Sequence, residues 1–302
     1  MSPRMSVGGT WLARAKINLS LRVVGRRPPG DAKAGYHELD SLVVFAETGD
    51  RIRVAPAQAL SLDLQGPFAG PLRGAPDNLV LRAARALART LERPAEAAIF
   101  LEKNLPVASG IGGGSADAAA TLRALVALWG AKIGEAGLAE LGLTLGADLP
   151  VCLAGRPSLV RGIGERLEPP GELPPAWLLL ANPGDSLATP AVFAERKGAF
   201  SDPLDPPIDG FADAEALARF VTAAGNDLTA AASRLCPALP PLLERLAGLE
   251  GALAAALSGS GATCFALFAK AAAAAAAEAQ ARRDGLAPWI VAAPLAQAGQ
   301  GA

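Results

Sequence analysis

Histidine is almost absent from this 302-residue chain: there is one, His37, so any histidine-based metal or acid–base chemistry rests on that residue alone. Cysteine is scarce as well. Cys152, Cys236 and Cys264 are odd in number and far apart, which excludes a disulfide framework or a CxxC metal site and leaves them as small buried apolar residues. Charge of one sign is missing too: 28 Lys and Arg face 29 Asp and Glu, a formal net charge of −1. With no basic excess, neither a nucleic acid nor an anionic membrane is an expected partner. No eighteen-residue apolar run occurs, and the opening "MSPRMSVGGTWLARAK" has no basic segment followed by an apolar one. The expectation is a cytoplasmic protein with a small-molecule partner.

What is present is enough for a large core, since 51% of the residues are hydrophobic. In "AKINLSLRV" the residues alternate: Ile17, Leu19, Leu21 and Val23 on one face, Lys16, Asn18, Ser20 and Arg22 on the other. This predicts a half-buried strand with Lys16 and Asn18 pointing the same way. Further strands are expected at 41–46, 51–55, 60–64 and 97–101, joined by Gly, Pro and Asp loops. Val80, Ala83, Ala84, Leu87 and Leu91 mark a helix with Asp77 available as its N-cap, and a second helix is expected over about 115–128. The order of strands and helices predicts an α+β fold. "EPPGELPP", residues 168–175, cannot continue a helix or a central strand and is read as the boundary between domains 1–168 and 169–302. Beyond it, strands are expected at 177–181 and 263–268, with helices around Ala191, Ala214, Leu228 and Leu242 and an alanine-rich helix over 270–283.

Four local features carry the chemistry. The densest is "LPVASGIGGGSADAAATL", residues 105–122, in which glycines lead into a helix. Glycines let backbone N–H groups converge, and the following helix start adds unpaired donors and a positive dipole end, so the pair forms an anion cradle. It is not a Walker A loop, which needs G-x-x-x-x-G-K-[ST], nor a dinucleotide fingerprint, because Ser115 stands where a third spaced glycine is required. The bland alternative is a flexible connection. Asp148 stands alone among apolar and glycine residues in "GLTLGADLPVCL" and must be paired, solvated or functional; otherwise it is a turn or N-cap aspartate. Lys16 on its strand is the third feature, its alternative a solvated face. The fourth is the turn "LSGSGATCF", with Gly259, Ser260 and Gly261.

These four features, in this order, resemble the galactokinase, homoserine kinase, mevalonate kinase and phosphomevalonate kinase (GHMP) superfamily over nearly the whole chain. Eight strings, among them "ARAKINLSLRVVGRR", "GYHELDSLVVF", "DNLVLRAARAL", "GADLPVCL", "NPGDSLATPAVF" and "NDLTAA", are similar to the branch that acts on a cytidine-diphosphate-linked methylerythritol. The resemblance implies two domains, a ribosomal protein S5-like nucleotide-binding one and a ferredoxin-like one, with the active site in the cleft between them. It implies transfer of the γ-phosphoryl of ATP, with Mg²⁺, to the tertiary 2-hydroxyl of that substrate in non-mevalonate isoprenoid synthesis. Lys16 and Asp148 would be the catalytic pair. The ATP phosphate loop would run from Pro106, Val107, Ala108, Ser109 and Gly110 through Ile111, Gly112, Gly113 and Gly114 to Ser115 and Ala116, with Lys103 near the nucleotide. Asn18, Tyr36, His37, Thr189, Pro190 and Phe193 would line the substrate site, the cytosine lying between Tyr36 and Phe193 and hydrogen-bonded by His37.

Two departures from the family pattern stand out. Ala116 occupies a position where a second serine is frequent, and "GRRPPGDAKAGYHEL" is longer before Gly35 than in many relatives. No carboxylate is singled out as a metal ligand, and a monomer or a homodimer is expected. Two other readings compete: a GHMP kinase for a mevalonate-type or homoserine-type alcohol, and a non-catalytic nucleotide-binding homologue. A base-stacking pair has no use in the first, and retention of both Lys16 and Asp148 argues against the second. A serine hydrolase is less favoured, since no G-x-S-x-G elbow occurs.

Overall fold

The alternation at residues 15–23 does form extended chain, but in two pieces, β1 (Trp11–Asn18) and β2 (Arg22–Arg26), in a computed structural model that describes residues 9–31, 33–74 and 78–297. Both faces of β1 are buried rather than one: Ile17 is 0% exposed and Lys16 only 4%. The apolar face packs into a core, and the polar face turns to a cleft instead of bulk water.

Both pieces pair antiparallel with one long strand, β3 (His37–Ala55), where two separate strands were expected. The turn signal "AETGD" is a β-bulge: Arg14 opposes Gly49 while its neighbour Ala15 opposes Ala46, leaving two residues of β3 extra. A Cβ on Gly49 would lie 2.1 Å from the Ala13 carbonyl oxygen, so only glycine fits there. β4 (Ser61–Gln65) leads to α1 (Leu79–Thr90) and to β5 (Ala98–Glu102), which lies parallel to β4 and antiparallel to β3. The N-cap of α1 is Asn78, whose Oδ1 accepts from the Val80 amide at 2.9 Å; the expected cap, Asp77, lies outside the described residues.

The second helix, α2 (Gly113–Trp129), starts two residues before the expected position, so Gly113 and Gly114 belong to its first turn. α3 (Glu135–Leu145) and α4 (Leu149–Ala154) follow, then the short strands β6 (Ser158–Gly162) and β7 (Arg166–Glu168) complete a seven-stranded sheet. The remaining strands form a second sheet. β8 (Trp177–Asn182) is followed by α5 (Thr189–Glu195), α6 (Ala214–Ala224), α7 (Thr229–Leu235) and α8 (Leu239–Ala247), then by β9 (Ala254–Leu257), β10 (Cys264–Phe268), α9 (Ala271–Arg283) and β11 (Trp289–Pro294). Its antiparallel order, β11-β8-β10-β9, is that of a ferredoxin-like fold.

Period-two alternation divides each sheet between two cores. In β8, Leu179 and Ala181 join the helices on the outer side, while Leu178 and Leu180 meet Ile17, Leu42 and Val44 of the first sheet. Each aliphatic side chain fully buried in that shared layer contributes about 1.5–3 kcal/mol. The first sheet ends at Glu168 and the second begins at Trp177, yet an apolar layer joins them. All three cysteines are free and buried. None of the described helices is long and apolar enough to cross a membrane.

Candidate active site

Lys16 leaves β1 on the face opposite Ile17, and its Nζ lies 3.1 Å from Asp148 Oδ2. Asp148 holds the N-cap position of α4 but makes no side-chain cap. Its carboxylate turns to the lysine instead, and at 47% side-chain exposure it faces open space while the lysine, at 6%, does not. The pair sits on the wall of a cleft of 890 Å³ that also receives Asn18, Tyr36, His37, Lys103, Thr189, Pro190 and Phe193. Pro106 to Gly110, Gly112 to Ser115, Gly259 and Ser260 line the same cleft.

Three of the expected loop residues lie outside it. Ile111 is fully buried in the layer between the sheets, Ala116 is 4% exposed in the core of the first sheet, and Gly261 packs against Leu257 and Leu187. The alanine at 116 therefore serves core packing.

The glycines of the loop answer to different neighbours. Gly110, at φ +76°, lies against the second sheet's turn: a Cβ there would come within 2.5 Å of the Ser258 carbonyl oxygen and 2.6 Å of the Gly261 nitrogen. Gly112, at φ +62°, is the αL N-cap of α2, and its missing Cβ leaves 3.1 Å to the Lys16 Cβ. Gly114 has no atom within 4 Å of its would-be Cβ, so its bareness serves the cleft and not the packing. Because the cap supplies no side-chain acceptor, the first amides of α2 stay open to an anion, with the helix dipole behind them.

Beneath the loop lies a buried ionic cluster. Lys103 Nζ contacts Asp50 of β3 and, at 2.8 Å, Asp117 of α2, all three side chains being no more than 2% exposed. Asp50 also accepts from the backbone amides of Asn104 and Leu105. Asp117, one turn into α2, is thus engaged by Lys103 beneath the loop. Burial pushes its pKa up to about 8, Lys103 opposing that rise and Asp50 adding to it. Burial alone would lower the Lys103 pKa, but Asp117 and Asp50 raise it overall.

At the other end of the cleft, His37 stacks on Phe193 with ring centroids 5.0 Å apart and planes 23° from parallel. Tyr36 is 54% exposed, with the Lys33 ammonium 5.6 Å from its ring centre. The stack present is histidine on phenylalanine, rather than tyrosine facing phenylalanine. The long segment before Tyr36 is closed at its base by Arg27 N–H to Tyr36 C=O (2.8 Å) and Gly35 N–H to Arg27 C=O (3.1 Å). The Arg27 guanidinium gathers the carboxylates of Asp31, Glu38 and Glu165 around that base.

Four residues that matter here, Ser258, Ser41, Asn78 and Leu72, escape sequence reasoning. Ser258 accepts from the Asn18 amide at 3.2 Å and donates to the Gly110 carbonyl at 3.1 Å, joining β1 to the phosphate loop. Thr189 and Ser260 share a hydrogen bond of 2.9 Å between α5 and the same turn. Asn18 Nδ2 donates to Ser41 Oγ at 2.7 Å. Asn78 and Leu72 add to the cleft wall. The only signal for Asn78 and Ser258 was their place inside the quoted strings.

Comparison with known proteins gives the family and the fold. The models for the GHMP kinases N terminal domain and the GHMP kinases C terminal domain match residues 78–156 and 208–285. A 4-diphosphocytidyl-2-C-methyl-D-erythritol kinase of Paramagnetospirillum magneticum is 49% identical over 94% of this chain and 97% of its own. The enzyme of the same name from Cereibacter sphaeroides is 54% identical over 85% of this chain and 88% of its own. A crystal structure of a 4-(cytidine 5'-diphospho)-2C-methyl-D-erythritol kinase, 34% identical, superposes with a TM-score of 0.76 over 95% of this chain and 99% of the other. Leishmania major mevalonate kinase, at 15% identity and a TM-score of 0.66 over the full length of both chains, shares the fold. With two GHMP domains, a two-sheet fold shared with these kinases and about half its residues in common with enzymes of one name, the chain belongs to the 4-diphosphocytidyl-2-C-methyl-D-erythritol kinase family.

Proposed function

We propose that the cleft transfers the γ-phosphoryl group of ATP to the tertiary 2-hydroxyl of 4-diphosphocytidyl-2-C-methyl-D-erythritol, with Lys16 and Asp148 as the reacting pair. The observation that carries this is the 3.1 Å contact of Lys16 and Asp148 on a cleft wall shared by an open helix N-terminus and an aromatic pocket. Phosphoryl transfer has a loose transition state, so the protein's task is to place the alcohol and balance charge. Asp148 accepts the hydroxyl proton as the bond to phosphorus forms. Lys16 pairs with that carboxylate and stabilises negative charge on the alkoxide and the transferring group. Asn18, on the same face of β1, orients the alcohol, and Lys103 supports the loop from below.

Nucleotide phosphates fit the open amides of Gly113, Gly114 and Ser115. Among the described residues no group of three or more His, Cys, Asp or Glu is placed to hold a metal. The donor set therefore fits Mg²⁺ carried on the nucleotide phosphates, with the Ser115 hydroxyl as the protein oxygen nearest in chemistry. When bound, the ion would neutralise phosphate charge. Tyr36, His37 and Phe193 would take the cytosine, while Thr189 and Pro190 close the wall beside it. We further place the domain division at 168/169, where one sheet ends before the other begins.

The test is ADP release from Mg·ATP with the cytidine-diphosphate-linked methylerythritol, mevalonate and homoserine offered separately. Turnover confined to the cytidine compound is the expected result. Turnover of another alcohol would overturn the substrate, and nucleotide binding without turnover of any would overturn the reaction.

A further inference from the structure

His37 is held by more than its stack. It lies directly opposite Arg26 in the β2–β3 ladder, and Arg26 Nη2 comes within 2.9 Å of His37 Nε2. A guanidinium only donates hydrogen bonds and stays protonated, so Nε2 must offer its lone pair. The proton of the neutral ring is then on Nδ1. The charged groups acting on the ring are Arg26 from β2 and Arg196 just after α5, and with burial they keep its pKa below the ordinary histidine value. No acceptor nitrogen remains free on the ring.

We propose that Arg26 is a positioning residue that fixes His37 as the neutral Nδ1–H tautomer, so that the pocket presents a hydrogen-bond donor and reads the N3 lone pair of cytosine. The cytosine part of this rests on the function proposed above. Uracil carries a hydrogen on N3, so donor would meet donor and a buried N–H would be left unpaired. Arg26 is exposed, so it can be replaced without opening the core.

Because the chain has a single histidine, one ring accounts for every imidazole nitrogen signal. In ligand-free protein labelled with ¹⁵N-histidine, two-bond proton–nitrogen spectra at neutral pH should show Nδ1 protonated and Nε2 bare. Arg26→Met should draw the two nitrogen signals toward each other as the tautomers mix. In kinetics, the wild type should favour a cytidine- over a uridine-diphosphate-linked methylerythritol by about 10–100-fold in kcat/KM. Arg26→Met should narrow that ratio about tenfold, with KM for ATP unchanged. A protonated Nε2 in the wild type, nitrogen signals unmoved by Arg26→Met, or an unaltered base ratio would each overturn the proposal. If the nitrogen signals behave as stated and neither nucleotide-linked alcohol is turned over, the substrate reading falls while the hold of Arg26 on His37 is upheld.

Discussion

Asp117 sits one turn into a helix whose N-terminus is open to the cleft, and it shares Lys103 with Asp50. Two carboxylates and one ammonium, all cut off from water, are best neutralised by one retained proton. Unfolded, Asp117 titrates near an aspartate's usual value of about 4; folded, it is pushed up to about 8. The folded chain therefore holds an extra proton between those values, and this group's contribution to stability falls as pH rises through that window. Asp117→Asn, which mimics the protonated form, should flatten that part of the profile, seen as the difference in Tm between wild type and variant across pH 4–8 in steps. At Asp148 the expectation is kinetic: Asp148→Asn should lower kcat by about 10² or more with ATP affinity retained, as measured by steady-state kinetics and nucleotide titration. In the sequence Asp148 stood out as a lone charge among apolar and glycine residues and Lys16 by its place on an alternating strand, but only the family resemblance joined them as a pair. Arg26, Asp50 and Ser258 were not legible, because their partners lie 11, 53 and 240 residues away and only the fold brings them near.

Among the elements, the glycine loop separates two demands that its sequence cannot distinguish. Gly110→Ala should destabilise the protein by about 2–3 kcal/mol in urea denaturation, because a positive φ and a backbone contact both oppose the new Cβ. Gly114→Ala should leave stability within about 0.5 kcal/mol, since the new Cβ meets nothing, while weakening nucleotide binding measured by calorimetry. Equal behaviour of the two variants would refute this division of labour. The strands β1 and β5 and the helix α1 could be read from periodicity. β3 could not be read whole, because a bulge and a turn share the same residue types until the partner strand's register is known. β6, β7 and α4 are short, and in each case neighbours rather than propensity decide the structure.

Across the whole molecule, the two halves meet through an apolar layer and through polar links, among them a seam at the turn 258–263. There Ser258 bonds both Asn18 and Gly110, and Thr263 N–H donates to the Ser109 carbonyl at 3.0 Å. Ser258→Ala would leave a buried amide without its acceptor, costing about 1–3 kcal/mol. Because the seam ties the alcohol side of the cleft to the phosphate side, KM should rise for both substrates together, whereas damage to one pocket would raise only one. The division into an α+β pair of halves was visible from the order of elements. The shared layer was not, since the same apolar alternation serves an outer core and an inner one.

The long strand β3 runs along this cleft with His37, Leu39, Ser41 and Val43 facing it in turn. On the function proposed here, His37 meets the base and Ser41, through Asn18, the alcohol end, four residues or about 13 Å along one continuous backbone. Such a strand is a ruler graduated in pairs of residues. It gauges the length of the diphosphate bridge between nucleoside and sugar alcohol, and it cannot be recut by one residue without turning every mark to the wrong side.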